Sequence, residues 1–256
     1  MTSSTERVGT QAWVAQTQGR LSPPERRGMI RPLVAAQARI IGGRAAAALH
    51  LGSGRRAVVP PSVLRPPRSV LTETAEETAH RRLSPALLQH SYRTYLFGAA
   101  VGHLEQVDVD RELLLAAALL HDIGLRPPVP GVDFTLDSAK VALDVAERVG
   151  LSTAATQVMR DAITLHHSPD VNLETDGPVA YLLSAGAALD VVGMRSWSLP
   201  SGLLDQVVAQ HPRLAFKREF ASAVAAEARA VPNGRMDVLR RYGRFDLAIR
   251  LAPFAD

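Results

Sequence analysis

The segment LLLAAALLHDIGL (residues 113–125) carries an unbroken run of leucine and alanine directly into a histidine and an aspartate, His121 and Asp122. Three other apolar stretches hold a side chain able to bind a cation: His90 after PALLQ, His166 and His167 after MRDAITL, and Asp190 inside YLLSAGAALDVV. A lone histidine on an apolar helix face is commonly a satisfied core or rim residue. Asp190 is harder to place, because a buried, unpaired carboxylate is costly unless a cation, a hydrogen-bond network or a raised pKa relieves it. An arginine such as Arg93 is one possible partner. A divalent metal is another, and it accounts for all four stretches together. Imidazole and carboxylate donors suit an ion of the zinc, manganese or iron type. The chain has no cysteine, so a metal must rest on His, Asp or Glu, and thiolate chemistry and disulfides are excluded. Adjacent helical residues point about 100° apart. His121 and Asp122 therefore reach one ion only at a helix end, where Gly124 would permit a turn.

Such a set needs helices to carry it, and the sequence from residue 70 onward reads as helical nearly throughout. Expected helices cover 71–83, 84–105, 110–122, 137–150, 152–167 and 177–193, with weaker ones near 201–210, 214–230 and 236–243. The start and stop signals are chemical. Ser84 precedes Pro85, Asp110 stands before the leucine run, and Gly124 with Pro127 and Pro128 ends it. No run alternates with period two, so the class is all-α.

Residues 1–69 differ in composition. Residues 1–70 hold eleven arginines against Glu6 and Glu25, while the rest of the chain is mildly acidic beneath a total of +4. This part reads as a basic arm rich in Pro, Gly and Arg. It comprises a mobile polar tail over 1–32, one helix over 32–52 broken at Gly42 and Gly43, and an extended linker over 52–69. The arm offers an electrostatic grip for nucleic acid or an anionic surface. Trp13 is its one aromatic residue, so base stacking has little to work with; a solvated tail is the favoured reading. No stretch approaches the ~18 apolar residues of a membrane span. The N-terminus lacks signal-peptide order, and a cytoplasmic protein is expected.

The order His90, His121-Asp122, Asp190, all on helices, resembles the HD superfamily of metal-dependent phosphohydrolases over roughly residues 84–211. The wording of HSYRTYLFG, HDIGL, AITLHHSP and LDVVG is similar to the cyanamide-hydratase-like branch, whose founding activity adds water to a nitrile at zinc. The resemblance implies an HD-domain helical bundle within residues 70–256, with C-terminal helices beyond its core. It implies metal ligands at His90, His121, Asp122 and Asp190. Asp122 would also act as base to the water and His166 as proton donor. Arg93, His166 and, less favoured, His167 would contact a small-molecule substrate. A superfamily reading makes that substrate a phosphoester or nucleotide, the branch reading a nitrile, and a degenerate fold would bind without turnover. Two positions depart from the pattern. Leu125 stands where the superfamily's cyclic-dinucleotide phosphodiesterases usually have lysine and several nucleotidase-type members a glutamate, which speaks against those two specificities. Thr135 stands where the branch has an acidic residue.

Overall fold

The computed structural model describes residues 6–49, 51 and 53–255, and among these it has twelve α-helices and no β-strand. They are α1 Gln11–Thr17, α2 Pro23–Ala48, α3 Val70–Arg82, α4 Pro85–Glu105, α5 Arg111–Leu120, α6 Phe134–Arg148, α7 Thr153–Leu165, α8 Leu173–Val192, α9 Leu203–Gln210, α10 Phe216–Ala230, α11 Arg235–Gly243 and α12 Phe245–Arg250. The all-α expectation holds. The starts follow the anticipated caps: the Ser84 side chain accepts from the Leu87 amide, and Asp110 from those of Glu112 and Leu113. Gly177 has φ +76°, so the continuous part of α8 begins at Pro178. None of the described helices is long and apolar enough to cross a membrane.

The N-terminal segment corrects the sequence reading. Described residues 6–32 are not a loose tail, because α1 is pinned by a fully buried Trp13 whose Nε1–H donates to Glu25 at 2.8 Å. α2 starts inside the presumed breaker SPPERRG, where Ser22 and Glu25 form a capping box ahead of Pro23. Nor do Gly42 and Gly43 interrupt it; the helix runs on to Ala48, with Gly43 against the Trp197 ring. Residues 1–5 of the arm, and residues 50 and 52 where its helix was expected to meet the linker, lie outside the described residues.

Two apolar cores meet at the site. One holds Leu88, Leu120, Ile123, Leu165 and Leu189, and the other Leu87, Leu125, Phe134, Val191 and Phe216. His90, His121, Asp122 and Asp190 therefore sit on the seam. Helices α4 and α8 cross there almost backbone to backbone. A Cβ on Gly186 would lie 2.1 Å from the Thr94 carbonyl oxygen, so only glycine fits. That close approach is what brings His90 on α4 against Asp190 on α8.

Candidate metal centre

His121 and His166 are placed by the same device. Each caps the C-terminal end of an apolar helix, α5 and α7, where the last carbonyls have no intrahelical partner. His121 Nδ1–H donates to Ala118 O at 2.8 Å, and His166 Nδ1–H to Ile163 O at 2.7 Å. With Nδ1 protonated and bonded, each Nε2 is left as a lone pair facing inward. His90 is fixed likewise, its Nδ1–H donating to Asp190 Oδ2 at 2.7 Å.

Those lone pairs converge. His90 Nε2 lies 3.3 Å from His121 Nε2, and both lie near Asp122 Oδ2, at 3.6 and 3.4 Å. No hydrogen is available to any pair of them, and Asp122 Oδ2 is buried without a hydrogen-bond partner. Three acceptors so placed repel one another unless a cation sits between them. The spacing fits one: ligands about 2.0–2.1 Å from a tetrahedral zinc are about 3.3–3.4 Å apart. The C-terminal ends of α5 and α7 add partial negative charge at the same point. His166 Nε2 is next, 3.6 Å from Asp122 Oδ1. Among the described residues, His90, His121 and Asp122 form the group able to hold a metal.

Asp190 is set apart from that group. A carboxylate offers about four lone-pair positions, and four donors point at Asp190. Arg93 reaches both oxygens at 2.8 and 2.9 Å, Arg213 reaches Oδ1 at 2.8 Å, and His90 reaches Oδ2. Burial alone would raise this carboxyl, but the Arg93 charge and the His90 contact outweigh it and hold it well below the usual carboxylate range. As folded, Asp190 is the acceptor that orients His90. The remaining donor of Arg93 contacts the His211 and Pro212 carbonyls, and the side chain is fully buried. Arg213, which completes this knot, lies in HPRLAF, where nothing in the sequence marked it.

Burial, with the neighbouring histidines, holds the His166 pKa well below the ordinary value, so the ring is neutral at physiological pH. Burial lowers His121 too, its largest opposing influence being Asp122. His167 stacks on Phe134 with ring centroids 5.3 Å apart. His90, His121, Asp122, His166 and His167 all line one cavity of about 160 Å³. Arg126 turns away to Glu219, at 3.2 Å, in a separate recess that also borders Asp122. Gly124 has a different role from the one expected. Its amide donates to Ser138 Oγ, and a Cβ there would lie 2.2 Å from the Phe134 carbonyl oxygen. It is glycine for want of space. Thr135 is sealed in a buried network, donating to Asp133 at 2.6 Å and accepting from Arg235 at 2.9 Å.

Comparison with known proteins agrees with this geometry. The HD domain family matches residues 87–191, the stretch from just before His90 to just after Asp190. Two relatives are the cyanamide hydratases DDI2 and DDI3 of Saccharomyces cerevisiae. Each is 25% identical over 191 residues, covering 70% of this chain and 82% of the relative. Residues 87–191 are thus an HD domain, in a chain whose sequence is similar to cyanamide hydratases.

Proposed function

We propose that this chain is a metal-dependent enzyme that adds water to a small neutral molecule, with a nitrile as the class suggested by its cyanamide hydratase relatives. The observation that carries the metal is the convergence of the His90 and His121 Nε2 lone pairs on Asp122 Oδ2, a buried oxygen with no partner of its own. His90, His121 and Asp122 would hold the ion. A divalent ion so held lowers the pKa of its water from 15.7 to about 7 and supplies hydroxide at neutral pH. His166, neutral and with Nε2 turned to Asp122, is placed to take a proton and return it to the product nitrogen. Asp190 and the Ala118 carbonyl keep the ligand imidazoles in the metal-binding tautomer.

Electrostatics favour a neutral substrate over a phosphoester. Phosphate recognition calls for free, convergent cationic donors. Arg93 and Arg213 are committed to Asp190 and Arg235 to Asp133, and of the arginines lining the cavity Arg195 pairs with Glu105 and Arg39 Nε donates to the Ala35 carbonyl. Arg126 faces another recess.

The test is metal analysis of the purified full chain beside His121→Ala and Asp122→Ala, followed by a panel of cyanamide, simple nitriles, phosphomonoesters and nucleotides. The proposal expects stoichiometric metal in the wild type, loss in both variants, and release of the amide or urea product. Metal-free wild type would sink the metal reading. Turnover of phosphoesters alone would sink the neutral-substrate reading.

A further inference from the structure

The cavity before the metal centre is walled in part by a helix from outside the HD domain. Leu33, Ala36 and Ile40 of α2 line it, spaced so that they share one helix face. Leu33 and Ile40 are buried, although α2 lies some fifty residues before His90 in the chain. Gln37, between them, is drawn aside by its Nε2–H bond to the Gly243 carbonyl, at 2.6 Å. Val191, Phe220 and Met236 also line it, again apolar.

One polar group in this wall has nothing to bind. Both ring nitrogens of His167 are buried and neither has a hydrogen-bond partner. A neutral imidazole carries one donor and one acceptor, and buried polar groups in native proteins are nearly always paired. His167 sits at the metal end, its ring centroid 4.9 Å from that of His166. Burial and the Arg235 charge hold its pKa well below the ordinary histidine value, so it meets a ligand as a neutral ring.

Resting on the metal-centre reading above, we infer that the cavity takes a small neutral molecule with two unlike ends: a hydrogen-bonding group met by His167 beside the metal, and an apolar substituent packed on the Leu33–Ile40 face of α2. The N-terminal segment then sets substrate length, while the HD domain supplies the chemistry. A volume of about 160 Å³ suits a short substituent.

The experiment measures binding of straight-chain nitriles, acetonitrile to hexanenitrile, and of the matching primary amides, to the full metal-loaded chain by ligand-observed NMR, with metal content assayed in every sample. Affinity is expected to climb about fourfold per methylene to an optimum and then to fall. Ile40→Ala moves the optimum to longer members and Ala36→Leu to shorter ones. The two variants oppose each other, so one that fails to fold leaves the other decisive. His167→Phe keeps the stack on Phe134 and removes both nitrogens. It should weaken every member about 3- to 10-fold without moving the optimum. Affinity that is flat with chain length, or an optimum unmoved in the folded α2 variants, overturns the inference. If metal is retained in that case, the metal centre stands and only the cavity assignment falls. A length-dependent series on metal-free protein would do the reverse.

Discussion

Asp190→Asn removes one charge and leaves the shape of the side chain almost intact. In the folded protein that charge faces Arg93 and Arg213, both essentially excluded from solvent, and the Nδ1–H of His90. An amide presents one oxygen where the carboxylate presented two, so two of the four donors must face an NH₂ group. Removing one partner of a buried ion pair costs about 3–5 kcal/mol, because the remaining charge is stranded in the interior. With a urea dependence of ~2–3 kcal/mol per molar for a chain of this size, the unfolding midpoint should fall by about 1–2 M. Metal binding should weaken as well. An imidazole that has lost its orienting acceptor binds its ion some 10–100-fold less tightly. Urea unfolding of metal-free protein and competitive zinc titration of the folded protein read the two effects separately. A variant as stable as the wild type would refute the charge argument. One that kept its stability and lost metal altogether would make Asp190 a ligand in its own right.

Two titration predictions follow. His121 and His166 are held neutral by burial, so below the ordinary histidine value of 6.5 the unfolded chain takes up protons that the folded chain refuses. Stability of the metal-free protein should therefore be full above about pH 6.5 and fall on acidification to about pH 5, by up to ~1.4 kcal/mol per pH unit per group. A urea midpoint constant over that range would contradict this. Glu227 runs the other way: burial first, and the nearby Asp133 carboxylate second, raise its pKa from 4.5 to about 8. A raised carboxyl contributes stability below the unfolded value and loses it as pH rises through about 8. Glu227→Gln keeps an acceptor for the Phe134 amide and has no proton to lose. It should gain on the wild type by a few kcal/mol between pH 5 and 9, and parallel pH profiles for the two proteins would remove the effect.

Much of the site was legible because the rules that betray it are local. The leucine–alanine run, its cap at Asp110 and the abrupt pair at 121–122 give a core helix delivering polar atoms to its end, and α5 does this. The order of His90, the pair and Asp190 also gave the HD domain, confirmed over residues 87–191. What could not be read was who pairs with whom. Asp190 was recognised as needing a cation, yet local sequence does not distinguish a metal from Arg93 and Arg213. The choice depends on a crossing of α4 and α8 set by the close packing at Gly186 and Gly98. The arm misled for a related reason. Its composition is that of a solvated tail, but tertiary burial of Trp13, Leu33 and Ile40 outweighs composition. A capping box hidden in SPPERRG started a helix where prolines suggested a break.

The two departures from the HD pattern acquire one explanation from this packing. Leu125, where those phosphodiesterases and nucleotidases carry lysine or glutamate, is fully buried in the same apolar core as Trp13, Leu21 and Leu33. Thr135, where an acidic residue was expected, bridges Asp133 and Arg235, and the Arg235 guanidinium lies 5.7 Å from the Trp13 ring. The Asp133 amide donates to the Gln18 carbonyl at 3.2 Å, just beyond the end of α1. Both positions thus face the N-terminal helices, of which α2 walls the cavity in part, and a charge at either would have to be desolvated beneath them. Leu125→Lys tests this. An ammonium at a fully buried site must be desolvated, and together with the lost packing it should cost at least ~3 kcal/mol. The chain can escape that cost by lifting α1 and α2 while the HD bundle stays folded. Hydrogen exchange should then rise sharply across residues 11–48 and little across α4, α5 and α8, and metal should be retained. If exchange rose uniformly, or not at all, Leu125 would not be the seat of the N-terminal segment.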